Sequence, residues 1–325
     1  MNIPDKCTIK KILPPLMSAG VMTFAVLLSV TSSAGIQGSG FRSLSAIGTV
    51  TEPVRADSDI LVVSGIPYST AHATIQIDGH AGAHGQIHKG DVVSLLATIP
   101  ADGSAAAASR IAVSGSVQGK VSSVDAPAAT LFVLGQTVHV TSQTVFGAAL
   151  GASGLSGLQS GSTVEVGGFA DSAGELVATR IAPKGQSNLS RVVGSIRSLD
   201  PARHTFYVNA LKIDYGRAEV DTVLTDSTPV SVQGVNFAAD GSLVASQVRS
   251  SAAAPGLPGS VGRVQGLITN YPSTAYFEVN GQRVIVNSQT RLALPVPLAL
   301  DVAVEVAGTF DTGGVLVAES VQTSR

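Results

Sequence analysis

The stretch VLGQTVHVTSQT, Val133 to Thr144, returns later in the chain as VNGQRVIVNSQT, Val279 to Thr290. Eight of the twelve positions are identical, and the copies start 146 residues apart. Each copy sets a two-residue turn, Leu134-Gly135 or Asn280-Gly281, between runs of alternating valines. Alternation of period two is the mark of a half-buried strand. Asn-Gly between two such runs marks a tight hairpin, because both central positions can take positive φ. The dodecamer reads as a β-hairpin with its outgoing strand, and its duplication reads as a repeat.

Working outward, a second hairpin closes each copy. In VEVGGFADSAGELVATRI the pattern is Val164, Val166, Gly168, then Gly174, Leu176, Ala178 and Ile181. The same spacing recurs at Val230, Val232, Gly234, Gly241, Leu243, Ala245 and Val248. It recurs again at Val304, Val306, Gly308, Gly314, Leu316, Ala318 and Val321. Asp171, Asp240 and Asp311 lie at the turns, where an Asp side chain bonds its own backbone. The alanines mark places where a narrow barrel is crowded or bulged. Upstream, GKVSSVD, GSIRSLD and GLITNYP begin at Gly119, Gly194 and Gly266. A diverged first copy runs from near Gly48 to an Ala-rich last strand carrying one extra residue.

Four units follow, at 43–114, 115–185, 190–251 and 258–325. Two loop-like joins, Pro183 to Asn188 and Ala254 to Gly259, separate the second, third and fourth. Each unit holds five short strands, with a variable stretch between the third and fourth. That layout matches an OB-like, partly open barrel. The expected fold is all-β: four tandem five-stranded OB-like small β-barrels after an N-terminal signal helix. A unit of this size buries only about 60% of its extended-chain surface, so packing between units is expected.

The N-terminus carries Lys6, Lys10 and Lys11, then an apolar run from Ile12 to Val30, then Ser32 and Ala34 before Gly35. Charge, apolar core and small-residue exit in that order read as a secretory signal peptide over 1–34, with a linker over 35–42. An uncleaved membrane anchor is the alternative, since the run is long enough to span a bilayer. The single cysteine, Cys7, precedes the apolar run, so the exported part has no disulfide and relies on burial and β-ladders. The reading is therefore periplasmic or secreted. A net charge of −2 and the absence of Trp exclude nucleic acid as the natural partner, since phosphate contacts need Lys and Arg and base stacking needs aromatics.

The pattern GxVxxVD, a strand, VxGxxVxVxxxT, VxVxGxF and GxLxAxxI resembles the small β-domain repeats of the bacterial domain of unknown function 5666. The resemblance covers 115–325 well and 43–114 weakly. It implies exported bacterial proteins with tandem copies, and it brings no catalytic residue.

One constellation has chemical content. IDGHAGAHGQIHKGD places His80, His84 and His88 four residues apart, with His72 nearby and Asp78 and Asp91 as further oxygen donors. On a helix this spacing puts three imidazoles on one face, able to hold zinc or copper. Gly82 and Gly85 oppose a helix by about 1 kcal/mol each, which favours a solvated polar loop. Arg110, Arg180 and Arg249 read as exposed charges at strand ends. No nucleophile elbow or phosphate loop is present, and the chain is expected to use no cofactor and no catalytic residue. The leading expectation is an exported, non-enzymatic β-repeat protein, a structural or binding module of the bacterial cell envelope whose partner is an envelope polysaccharide or protein. A periplasmic metal-binding protein using the His80/His84/His88 loop is the alternative, and a hydrolase ranks third.

Overall fold

The computed structural model describes residues 42–323 except 56–57, 186 and 252–255. The expected signal segment lies outside the described residues. Within them the chain is all-β, with 25 strands and two short 3-10 turns, His84–Gln86 and Gly151–Gly157. No helix among the described residues is long and apolar enough to cross a membrane.

Repeat one contains β1 (Arg42–Glu52), β2 (Ile60–Val63), β3 (Ile66–Ser69), β4 (Thr74–Ile77), β5 (His80–Ala81), β6 (Val92–Ile99) and β7 (Ala106–Val113). Repeat two contains β8 (Val117–Asp125), β9 (Thr130–Val133), β10 (Gln136–His139), β11 (Val145–Phe146), β12 (Thr163–Ala170) and β13 (Leu176–Pro183). Repeat three contains β14 (Ser190–Asp200), β15 (Thr205–Val208), β16 (Leu211–Asp214), β17 (Glu219–Val220), β18 (Pro229–Phe237) and β19 (Leu243–Ser250). Repeat four contains β20 (Val261–Ser273), β21 (Tyr276–Val279), β22 (Gln282–Ile285), β23 (Arg291–Ala293), β24 (Ala303–Phe310) and β25 (Leu316–Thr323).

The repeated dodecamers are β10 and β22 with the turns before them. Leu134-Gly135 and Asn280-Gly281 all have positive φ, the backbone that a two-residue hairpin turn of this kind demands. From these hairpins two closed five-stranded barrels are traced. In repeat two the order is β8–β9–β10–β13–β12 and back to β8, with β10–β13 the one parallel pair of the ring. Repeat four closes the same way through β20–β21–β22–β25–β24 and back to β20. The strands of repeats one and three pair in the same cyclic order. Four separate apolar cores match the four units, each filled mainly by the inward valines, leucines and isoleucines that alternate along the strands.

The Gly–Ala pairs have a specific cause. Gly168 faces Ala178, Gly234 faces Ala245 and Gly308 faces Ala318, each at a shift of register next to the pair. A side chain on any of these glycines would run into the opposing carbonyl of Val177, Val244 or Val317. This is a β-bulge that tightens the curl of the sheet. Repeat one keeps the bulge with Ala97 opposite Ala108, and its extra residue is taken up in the turn before β7.

The variable stretch departs from expectation. In repeats two, three and four it adds a sixth short strand (β11, β17 or β23) parallel to the last strand. In repeat one it supplies β4, which pairs with β7, and β5.

The repeats assemble out of chain order. β1 runs parallel to β20, joining repeats one and four into a 13-stranded sheet. β8 pairs with β14, joining repeats two and three into a 12-stranded sheet. Polar side chains lock both joints. Gln265 Oε1 accepts from Thr49 N and Ser64 Oγ, both at 2.8 Å. Buried Gln136 donates to Val208 O at 3.1 Å and accepts from Asn209 Nδ2 at 2.7 Å.

Candidate functional site

An opening lies where repeats one and two meet. It is a cleft of about 330 Å³ lined in part by Asp78, His88, Asp91, Glu165, Arg180 and Lys184. The turn between β4 and β5 supplies Asp78, fixed at positive φ with its amide bonded to Val113 O at 2.9 Å. Asp91 follows Gly90, whose φ of +88° and closeness to Thr179 O leave no room for a side chain where repeat one touches repeat two. Glu165 sits on β12, Arg180 on β13, and Lys184 follows β13.

Behind the wall stands Arg191 of β14, 2% exposed. Its Nη1 pairs with Asp78 and its Nη2 bonds Glu165 Oε1 at 2.9 Å. Glu165 Oε2 takes Lys184 Nζ at 2.7 Å. Arg180 Nη1 pairs with Asp91 Oδ1 at 3.4 Å, and Asp91 Oδ2 accepts the His88 amide at 2.7 Å. Arg191 of repeat three thus links Asp78 of repeat one to Glu165 and Lys184 of repeat two, and Asp91–Arg180 forms a second charge pair between repeats one and two. Burial would raise Glu165, but the hydrogen bond and charge of Lys184, with Arg191, outweigh it and hold the carboxyl below its ordinary range. Asp91 goes the other way. Burial pushes it up, and the His88 amide and the Arg180 charge offset this only in part.

Three carboxylates facing two basic side chains in a cleft, with a third cation behind, make a polar surface of fixed, paired charges. Such a surface can recognise a ligand bearing several hydrogen-bonding groups, and it orients that ligand at little entropic cost because its own groups are already held.

The family described as "Domain of unknown function (DUF5666)" matches the chain at residues 47–112, 118–182 and 262–322. The chain belongs to this family. DUF5666 is a family of unknown function, and its tandem occurrence here agrees with the repeats read from the sequence. The matches include repeat one, which the motif comparison placed only weakly. No match falls on repeat three, although its strands pair in the same order. No curated protein matches this DUF5666 chain. Among solved structures, "drosophila Unr CSD456" is similar over 67% of this chain and 99% of its own, at 14% identity and a TM-score of 0.19.

The structure places His80 on β5 and His84 and His88 in and just after the 3-10 turn, so no helix gathers them on one face. His80 and His88 are exposed, and His88 contacts Asp91 at 3.6 Å. His84 is half-buried. Among the described residues the group whose ligand atoms converge is a different one, His139, Asp171 and Glu175. Arg180 is not an exposed strand end: its side chain is 12% exposed and paired with Asp91. Arg249, by contrast, is half exposed beside Asp221. The roles of Glu165, Lys184 and Arg191 left no sequence signal. Glu165 occupies an ordinary outward position in VEV, and burial of Arg191 depends on a neighbour more than 100 residues upstream.

Proposed function

We propose that this protein is an exported, non-enzymatic module of the bacterial cell envelope, built of four OB-like small barrels, that binds a polar envelope polymer in the cleft between repeats one and two. The observation that carries the reading is the pre-paired charge network of that cleft. It ties three repeats into one surface and leaves the lining groups oriented rather than mobile. The two barrels traced from the dodecamers, and the same strand cycle in the other two units, support the four-barrel, OB-like description. OB-type surfaces bind oligosaccharides, and this transfers only as analogy of fold. The signal-like N-terminus supports export.

Co-sedimentation of the full chain with isolated cell-wall material, alongside fractionation of the host, tests the proposal. Pelleting that is lost in a K184E variant is the expected result. A chain that stays in the supernatant, or a native protein recovered from the cytoplasm, overturns it.

A further inference from the structure

We propose a divalent metal site in repeat two, at the turn between β12 and β13, with His139, Asp171 and Glu175 as its protein ligands and zinc as the ion its donors fit. One ligand atom from each residue lies within 4.8 Å of the others, and all three side chains are half-buried. They arrive from separate elements. His139 ends β10, Asp171 follows β12, and Glu175 precedes β13. Parallel pairing of β10 with β13, His139 opposite Val177, brings the imidazole beside the turn.

The other repeats serve as internal controls for what the turn itself requires. In repeat two Asp171 Oδ1 accepts the amides of Ala173 at 2.9 Å and Glu175 at 2.8 Å. In repeat four Asp311 Oδ1 accepts those of Gly313 at 2.8 Å and Val315 at 2.9 Å. In repeat three Asp240 Oδ1 accepts the Ser242 amide at 3.1 Å. An aspartate therefore caps the turn in each of these repeats, from its first position in repeats two and four and from two residues later in repeat three, where Ala238 stands first. The histidine and glutamate are not needed for it: repeat three carries Asp214 and Ser242 at those places, and repeat four carries Ile285 and Val315. Repeat two alone adds an imidazole and a second carboxylate around a carboxylate already fixed by its backbone.

Neighbouring repeats hold this turn in place. Arg197 Nη2 donates to Ala173 O at 3.3 Å, and Asn209 Nδ2 donates to Gly174 O at 2.7 Å. Ser172 donates from N and Oγ to the Asp301 carboxylate of repeat four at 2.7 and 3.0 Å. These contacts fix the turn that carries Asp171 and Glu175, as a supported site requires. His139 Nε2 and Glu175 Oε2 lie 2.6 Å apart. Bonds of about 2.0–2.1 Å at a tetrahedral zinc separate two ligand atoms by about 3.4 Å, so the pair opens by less than 1 Å to admit the ion. One nitrogen with carboxylate oxygens suits zinc better than calcium or magnesium, which take oxygen donors alone. Three protein ligands leave a fourth position for water.

Calorimetric titration of the full chain with zinc chloride, after chelator treatment, tests the assignment. One saturable equivalent per chain is expected. H139A and the near-isosteric E175Q should each weaken binding by at least about 100-fold. The triple variant H80A/H84A/H88A should bind as the native chain does. If H139A fails to fold, E175Q, whose metal-free unfolding curve should match the native one, decides alone. No saturable binding, binding indifferent to E175Q, or binding lost in the triple variant overturns the site.

Discussion

Replacing Arg191 with Met removes the one cation that joins three repeats, and the structure sets the size of the effect. Met keeps most of the buried side-chain volume, so the loss is electrostatic rather than a cavity. Glu165 still has Lys184 at 2.7 Å, while Asp78, 17% exposed, loses its ion-pair partner. Breaking a buried pair from one side costs about 3–5 kcal/mol. The expected deficit of R191M is therefore about 3–5 kcal/mol. Adding D78N removes the orphaned charge, and the double variant should be more stable than R191M alone. Urea denaturation followed by circular dichroism measures all three. A deficit under about 0.5 kcal/mol, or a double variant no more stable than R191M, refutes the argument that Asp78 is left buried and charged.

Asp91 offers a test by pH. Its folded value lies above the ordinary 3.8, so the native state binds the proton more readily than the unfolded chain does. Stability from this group therefore rises as pH falls through the raised value, and the native chain should gain on D91N between pH 7 and pH 4 in urea titrations. At the bulge, G308A meets the Val317 carbonyl and should cost about 1–3 kcal/mol as overpacking, read as a lower urea midpoint at unchanged slope. Repeat one, which carries Ala97 at that place, should tolerate A97G at no more than about 1 kcal/mol. In the core of repeat three, F206A empties a fully buried site and should cost about 3–5 kcal/mol, measurable as a drop in Tm.

Much of each repeat could be read without coordinates because its determinants are local. Period-two valines, Asn280-Gly281, the turn aspartates and the Gly–Ala pairs act within one hairpin, and neighbouring residues in the chain suffice to specify them. Even the diverged first repeat keeps its pairing, since the extra residue falls in a turn, where insertions cost little. The His80/His84/His88 spacing was legible too, but spacing in sequence fixes geometry only on a regular element, and this segment is a two-residue strand followed by a 3-10 turn.

The sequence by itself determined the all-β class, the repeat and the turns, because those depend on alternation and on residues that tolerate positive φ. Only the tertiary structure decided that repeat one pairs with four and two with three. Edge pairing between barrels uses backbone groups that every strand possesses, so no side chain announces it in advance. Pairing of repeat two with repeat three brings Arg191 to Glu165, and the contact of repeat one adds Asp78, while the barrel of repeat two itself sets His139 against Glu175. Long-range charge contacts depend on distances that the fold creates, which is why the cleft and the His139–Glu175 contact are visible in three dimensions and silent in one.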